Sequence, residues 1–267
     1  MAQTPQTGTK LPIFKGNPLI EIPASIPQAG FLKGDFGKAF LEEYQGRVKA
    51  DYNGNSNLNV LSYRGGLGLE PLSINVLTYS DGVVEGSNPF AVVLANQILR
   101  QEGLRTATQS DLEKALRIGW DLRGTYKDTA LVLRSGDEPN KYLASNLMKQ
   151  VKARNPLQTM PVMIPLNGLE LRTDQSSHYG LAFDLTDLSE IIYALILDEP
   201  EKFNSEDINE ETGLPRRTGK GNRTLCPTDS GLSRLDLDHN LDLNSDHRGL
   251  ADSDEDGRVV VVKPGEN

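Results

Sequence analysis

The residues best suited to chemistry lie near the end of the chain, in the stretch SRLDLDHNLDLNSDHRGLADSDEDGRVVVV. Carboxylates at alternate positions are typical of calcium-binding loops. Four residues match the first, third, fifth and sixth positions of an EF-hand loop, namely Asp252, Asp254, Asp256 and Gly257. The twelfth position requires a bidentate Glu, and Lys263 stands there. We therefore expect no EF-hand and no cofactor, with weak calcium binding at an irregular site left open.

The sequence lacks the residue spacing of several other common catalytic and nucleotide-binding sites. The chain has neither a G-x-S-x-G nucleophile motif nor an H-E-x-x-H zinc motif. The glycines of GLPRRTGKGN are one residue too far apart for a phosphate-binding loop, and Gly221 stands where Ser or Thr would hold magnesium. Cys226 is the only cysteine, too few for an internal disulfide or a structural zinc site. His178 belongs to no catalytic motif, so we predict that the protein is not an enzyme.

The charge balance restricts the possible partners. The formal net charge is −9, and a nucleic-acid-binding protein needs a basic face, so we expect no nucleic acid partner. Eight acidic residues and a single arginine fall between residues 236 and 256. The first residues lack the basic start and apolar run of a signal peptide, and no apolar run reaches the ~20 residues of a transmembrane helix. We expect no membrane insertion, and either a cytoplasmic location or display by another route.

The elements that must position these residues change type along the chain. Residues 1–55 are rich in Gly, Pro, Asn and Gln and are interpreted as an N-terminal extension, either separate or integrated into the domain. Helical spacing follows in PFAVVLANQIL, after a capping box at Thr108, and in a helix that starts at Pro139. Strand-like stretches such as MPVMIPL, YGLAFDLT and EIIYALIL come next, and GRVVVV is typical of a strand buried on both faces. This order predicts an α+β domain over residues 56–267, with helices packed on a mostly antiparallel sheet.

Large apolar residues alternate with polar ones through the acidic stretch. In an extended segment the two sets point to opposite faces. The apolar set therefore predicts a buried framework, which a disordered acidic tail would lack. The framework consists of Leu235, Leu237, Leu241, Leu243, Leu250, Val259, Val260, Val261 and Val262.

The polar set shares a property of its codons. Asp and His codons can differ from the Asn codon AAC at the first base alone, and Arg is reached by changing its adenines. Within the set only Glu255 falls outside this rule, whereas the framework residues need no adenine. Adenine-directed mutation of a template would leave this pattern. The candidate surface, as we name the polar set, consists of Asp236, Asp238, His239, Asn240, Asp242, Asn244, Asp246, His247, Arg248, Asp252, Asp254, Glu255 and Asp256.

The C-terminal pattern S-x-L-x-L, L-x-L, L-A-x-S and G-R-V-V-V-V resembles that of the variable proteins of diversity-generating retroelements. It begins at Ser233 and includes Ala251, Ser253, Gly257 and Arg258 besides the framework. The resemblance extends upstream through PVMIPLNGLEL, YGLAFDL, IIYALIL and GLPRRTGKGNRTL to archaeal members. It implies a C-type lectin fold. The segment EGLRTATQSDLEKAL is similar to the helix entry of the formylglycine-generating-enzyme branch of that fold.

The resemblance implies a ligand-binding protein rather than an enzyme. In that family a reverse transcriptase rewrites a C-terminal variable region, which corresponds to residues 233–258, and we expect the rewritten side chains to point to solvent. Family members often carry Tyr and Trp at these positions, whereas this chain carries mostly Asp, which favours a cationic protein or surface ligand. The alternative is a calcium-stabilised, lectin-like domain that binds carbohydrate.

Overall fold

The computed structural model describes residues 28–51, 60–61 and 73–264. The helices of these residues are α1 (Gly34–Asp51), α2 (Pro89–Leu99), α3 (Gln109–Arg117) and α4 (Lys141–Arg154). The strands are β1 (Gln28–Phe31), β2 (Val60–Leu61), β3 (Ile74–Asn75), β4 (Thr78–Ser80), β5 (Val83–Glu85), β6 (Arg105–Thr106), β7 (Lys127–Leu133), β8 (Val162–Pro165), β9 (Leu169–Thr173), β10 (Leu181–Leu185), β11 (Ile192–Tyr193), β12 (Glu201–Phe203), β13 (Arg223–Pro227), β14 (Leu232–Leu237), β15 (Leu243–Ser245) and β16 (Val260–Lys263).

A seven-stranded sheet forms the centre of the fold, with the strand order β11-β8-β7-β14-β15-β13-β12. Its neighbours pair antiparallel, except for β13 and β15, which run parallel. Leu131 and Leu133 of β7 pack into a first hydrophobic cluster together with α1, α2 and α4. Ala130 and Val132 point the other way, into a second cluster with α3. The middle of the sheet is therefore buried on both faces, which explains why β7 is apolar at consecutive positions.

The C-terminal strand β16 lies in a second sheet, between β1 and β6. Val261 packs into the first cluster, whereas Val260 and Val262 pack into the second. The prediction that GRVVVV forms a strand buried on both faces is confirmed. Because Val260, Val261 and Val262 pack into both clusters, β16 is part of the core.

The α+β class is confirmed, but two details of the sequence interpretation are wrong. Helix α4 begins at Lys141 rather than at Pro139, because Asn140 has a φ of 60°, outside the right-handed helical region. The stretch EIIYALIL forms a strand only at Ile192–Tyr193 and then turns as a 3₁₀-helix at Leu195–Asp198. The capping box at the start of α3 is confirmed.

Part of the predicted N-terminal extension is described by the structure. Helix α1 packs Phe36, Phe40 and Tyr44 into the first cluster, and β1 pairs with β16. Residues 1–27 and 52–59 lie outside the described residues. Within the described ranges, no helix is both long and apolar enough to cross a bilayer.

A buried ion pair fixes α3 against the central sheet. The carboxylate of Glu113 accepts two hydrogen bonds from the guanidinium of Arg223, at 2.7 and 2.8 Å, and both side chains are almost fully buried. The Gln109 amide also donates to Glu113, at 3.0 Å. The guanidinium of Arg223 in turn donates to the carbonyl of Leu241. This ion pair therefore connects α3 to the turn at residues 238–241, which lies within the candidate surface.

Replacing Glu113 by Ala should destabilise the protein strongly. The Arg223 charge would remain buried without its partner, which typically costs about 3–5 kcal/mol in the free energy of unfolding. The matched control is Glu199→Ala, because Glu199 and Arg217 form an ion pair with both side chains exposed. Removing an exposed pair costs at most about 1 kcal/mol. Urea unfolding followed by circular dichroism measures both; equal losses would contradict the assignment.

Candidate functional site

One polar row crosses four neighbouring strands of the central sheet. Asp128 of β7 is the register partner of Asp236 of β14, and Asp236 is the partner of Asn244 of β15. Asn244 is in turn the partner of Cys226 of β13. Register partners project from the same face of a sheet, so these four side chains share one face. The framework leucines of β14 and β15 project from the opposite face, into the second cluster.

Burial separates the framework from the candidate surface. Every framework residue is buried, with an exposed fraction of 7% or less. Nine residues of the candidate surface are exposed, three are half-buried and one is buried. The half-buried residues are Asp238, Asp242 and Asn244. The prediction of a buried framework is therefore confirmed.

Asp236 contradicts the expectation that the whole candidate surface points to solvent, because it is only 1% exposed. The alternation of side chains does put it on the outer face of β14. That part of the face is covered by residues 246–257, which we name the covering segment. The segment is held over β14 by Arg234, whose main-chain N–H donates to the carbonyl of His247 and whose Nη1 donates to the carbonyl of Asp252. The alternation of side chains along a strand predicts the face on which Asp236 lies, but it cannot predict that another segment covers that face.

Tyr126, just before β7, holds the covering segment through main-chain atoms. Its hydroxyl accepts a hydrogen bond from the N–H of Asp254 at 3.1 Å and donates to the carbonyl of Ser87 at 3.2 Å. Its own N–H donates to the carbonyl of Asp256, and its carbonyl accepts from the N–H of Arg258. These four bonds involve no side chain of the candidate surface.

Other residues outside the candidate surface also bind main-chain atoms of this part of the chain. Asn75 donates its N–H to the carbonyl of Ala251 and its side-chain amide to the carbonyl of Ser253. The side-chain amide of Asn140 donates to the carbonyl of Arg248 at 2.8 Å. Gly86 and Gly124 donate their N–H groups to the carbonyls of residues 257 and 239. The peptide groups of the surface are thus held from the rest of the fold.

The carboxylates spaced like calcium ligands stabilise turns. One carboxylate oxygen of Asp238 accepts from the N–H groups of Asn240 and Asp242, both at 2.8 Å. Leu241, in the same turn, has a φ of 71°, a conformation that glycine adopts far more easily. Asp254 likewise accepts from the N–H two residues further along. In the part of the chain that the structure describes, no three His, Cys, Asp or Glu side chains lie together as a metal site.

Two buried carboxylates, which we name the acid pair, lie beneath the covering segment. They belong to Asp128 and Asp236, which are 4% and 1% exposed. The Nε of Arg234 lies 3.4 Å from Asp128 Oδ1 and 3.7 Å from Asp236 Oδ1. Neither oxygen of Asp128 nor Oδ1 of Asp236 has a hydrogen-bond partner. Burial raises the pKa of both carboxyl groups, and their mutual repulsion raises the pKa of Asp236 further, against the opposing charge of Arg234.

Lys127 is a further buried charge beside the candidate surface, and the sequence interpretation did not identify it. Its ammonium group donates to the carbonyls of Leu122 and Thr125. Burial lowers the pKa of Lys127 to about 7, and the charge of Arg258 acts in the same direction. Lys127 thereby holds the turn at residues 122–125. From this turn, Gly124 donates its N–H to the carbonyl of His239 in the candidate surface.

His178 and Cys226, the two side chains considered above for catalysis, lie in different surroundings. His178 is exposed and lines a cleft of about 590 Å³ together with Tyr142 and Tyr179. Cys226 is half-buried in the polar row and does not line this cleft. Burial, followed by the nearby aspartates, raises the pKa of its thiol, which disfavours the reactive thiolate. This arrangement does not activate Cys226 as a nucleophile.

The most important residues that the sequence interpretation missed are Tyr126, Asp128 and Arg234. Two of them lie about a hundred residues before residues 233–258, and the pairing of β7 with β14 brings them beneath that stretch. Arg234 lies inside the region but belongs to neither the apolar nor the codon pattern as interpreted. The one available signal was the polar start of KDTALVL, a strand that is otherwise apolar.

No family model, no curated protein and no solved structure matches this chain. Function therefore has to be inferred from the residues and their geometry.

Replacing Tyr126 by Phe should loosen the covering segment without unfolding the protein. The change removes the acceptor of the Asp254 N–H and the donor to Ser87, and unpaired buried polar groups cost about 1–3 kcal/mol. Urea unfolding measures this loss, and hydrogen exchange should show faster exchange in residues 251–257. Tyr193→Phe, on an exposed tyrosine, is the control and should change neither measurement. Unchanged exchange in Tyr126→Phe would contradict its role.

Proposed function

We propose that the protein binds a ligand through the candidate surface, and that a retroelement diversifies this surface by adenine-directed mutation of the variable region at residues 233–258. The proposal includes a C-type lectin fold of the formylglycine-generating-enzyme branch. The observed α+β architecture, with its antiparallel-rich sheet and buried C-terminal strand, is compatible with that fold. The resemblance of the C-terminal sequence pattern supplies the finer assignment.

The observation that carries the proposal is the way in which the covering segment is held. Tyr126, Asn75 and Asn140 bond to its main-chain atoms, which remain the same whatever side chain a position carries. Nine of the thirteen side chains above this backbone are exposed. A surface built in this way keeps these main-chain bonds when an exposed side chain changes. Asp238 and Asp254 are exceptions in one respect, because their carboxylates also stabilise turns of the surface.

Stability and recognition are thereby carried by different residues. Each buried Leu or Val of the framework contributes roughly 1.5–3 kcal/mol through burial. Substitutions at exposed positions usually change stability by no more than about 0.5 kcal/mol. Mutations confined to adenines would account for the exposed residues other than Glu255 and would spare the framework codons. This division is what a protein that diversifies its binding surface requires.

The charge of the surface supports a cationic ligand. The exposed carboxylates include Asp246, Asp252, Asp254, Glu255 and Asp256. Arg248 is the one exposed arginine among the thirteen residues, and His239 lies 3.4 Å from the Asp256 carboxylate. A positive patch on a protein or on another surface would be attracted, and the attraction would weaken as salt is added.

Exchanging exposed residues of the candidate surface should leave stability almost unchanged. We expect Glu255→Tyr and Asp246→Ser to shift the free energy of unfolding by about 0.5 kcal/mol or less, because both side chains are exposed and neither accepts a main-chain hydrogen bond that shapes a turn. Leu243→Ala, in the framework, should cost about 2–5 kcal/mol because Leu243 is fully buried. Thermal and urea unfolding of the three variants measure the difference. Similar losses in all three would contradict the division between framework and surface.

The diversification itself is tested in the neighbouring DNA. We expect a near-copy of the coding stretch for residues 233–258 beside a reverse transcriptase gene, with differences confined to adenines of the copy. Differences at other bases, or in the framework codons, would contradict diversification and leave ligand binding as a separate question. Selection of binders from a library randomised at the nine exposed positions tests that second part.

A further inference from the structure

The acid pair has one positive charge too few. Asp128 and Asp236 face each other across β7 and β14, and the single guanidinium of Arg234 lies between them. When both carboxyls are ionised, this buried group carries a net charge of −1, and three of its oxygens lack a hydrogen-bond donor. Uncompensated charge is costly at such a buried position. One proton shared by the pair balances the charge.

Arg234 also holds the covering segment in place. Its Nη2 lies 2.8 Å from Nδ1 of His247, and its main-chain N–H and Nη1 bind the carbonyls of residues 247 and 252. A guanidinium can only donate, so the contact with His247 requires an unprotonated Nδ1 as acceptor. The aromatic ring of Tyr126, which binds the same segment, lies under the guanidinium. Arg234 is therefore both the cation beside the acid pair and a residue that holds the covering segment over it.

We propose that the acid pair and Arg234 form a proton-operated latch for the covering segment. With one proton on the pair, the charges are balanced and the segment stays closed over Asp236. When that proton leaves, the second negative charge is stabilised by water, which reaches the pair only if the segment lifts. The latch depends on the buried groups alone and does not rest on the proposed function.

The titratable and charged groups around the latch come from several elements. The strands β7 and β14 contribute the acid pair and Arg234. The segments before and after these strands, together with the covering segment, contribute the remaining groups, which are Tyr126, Asp238, Asp246, His247 and Asp252. Arg234 is the permanently charged cation of this set, so lowering the pH relieves the excess negative charge. Nδ1 of His247 lies 3.9 Å from Oδ1 of Asp236, so a variant of His247 is needed to separate its contribution from that of the acid pair.

The direction of the pH effect follows from linkage. A carboxyl whose pKa is raised by burial in the closed state binds a proton more tightly there than in the open state, where water brings its pKa back towards the ordinary range. The closed state is therefore favoured at low pH and loses its advantage as the pH rises. For one linked proton, the ratio of open to closed segment rises about tenfold per pH unit between the two pKa values.

Hydrogen exchange at pH 5, 6, 7 and 8 tests the latch. After division by the intrinsic exchange rate, protection of peptides within residues 246–257 should fall with rising pH, by up to about tenfold per unit. Peptides from α4 should keep their protection and serve as the internal reference. A pH-independent covering segment, or an equal loss of protection in α4, would overturn the proposal.

Three variants assign the proton. Asp236→Asn leaves one carboxylate and one guanidinium, so the pH dependence should disappear while the protein stays folded by circular dichroism. His247→Asn keeps an acceptor for Arg234 without an imidazole and should retain the pH dependence. Asp254→Asn neutralises an exposed acid of the same segment and should also retain it. Loss of the dependence in His247→Asn, or its survival in Asp236→Asn, would exclude the acid pair as the proton site.

Discussion

The peptide groups of an irregular segment must find hydrogen-bond partners, and the candidate surface depends on this requirement. The covering segment lies between β15 and β16 and forms no strand of its own. It therefore cannot satisfy its N–H and C=O groups as a sheet does, and buried main-chain groups without partners are rare in folded proteins. The partners come from distant parts of the chain, namely Asn75, Gly86, Tyr126 and Asn140. The central sheet and the helices are needed to bring these groups to one place.

Strand β14 connects this requirement to the core. Alternate residues of the strand enter the second cluster as leucines, and the residues between them face the covering segment as Arg234 and Asp236. The register with β7 shifts between Leu235 and Asp236, which brings Asp128 opposite Asp236. The shift places two acids side by side and leaves Arg234 to balance both. The polar face of β14 thus stabilises the cover and places two buried acids beside a single guanidinium.

Much of this architecture could be predicted from local patterns. The alternation of leucine with polar residues predicts which side chains are buried, because strand geometry enforces a period of two. The valines at the end of the chain predict a strand buried on both faces for the same reason. The burial of Asp236 could not be predicted in this way, because it depends on a segment that folds back over the strand. Tyr126 and Asp128 were also missed, since their contacts with the surface arise only from the pairing of β7 with β14.

The burial of Asp236 restricts which residues this position of the candidate surface can accept. Under the proposed adenine-directed mutation, Asp236 would receive the same residues as an exposed position, but its side chain lies between Asp128, Arg234 and the cover. Asn or Ser would fit this space and leave the single charge of Asp128 matched by Arg234. Tyr is also reachable from AAC, but its ring would push the cover away, because close-packed interiors accommodate added volume poorly. The proposed mutation would therefore supply more residue types at Asp236 than the folded protein can accommodate there. Asp236 is the one buried residue of the thirteen, so this restriction applies most strongly to it.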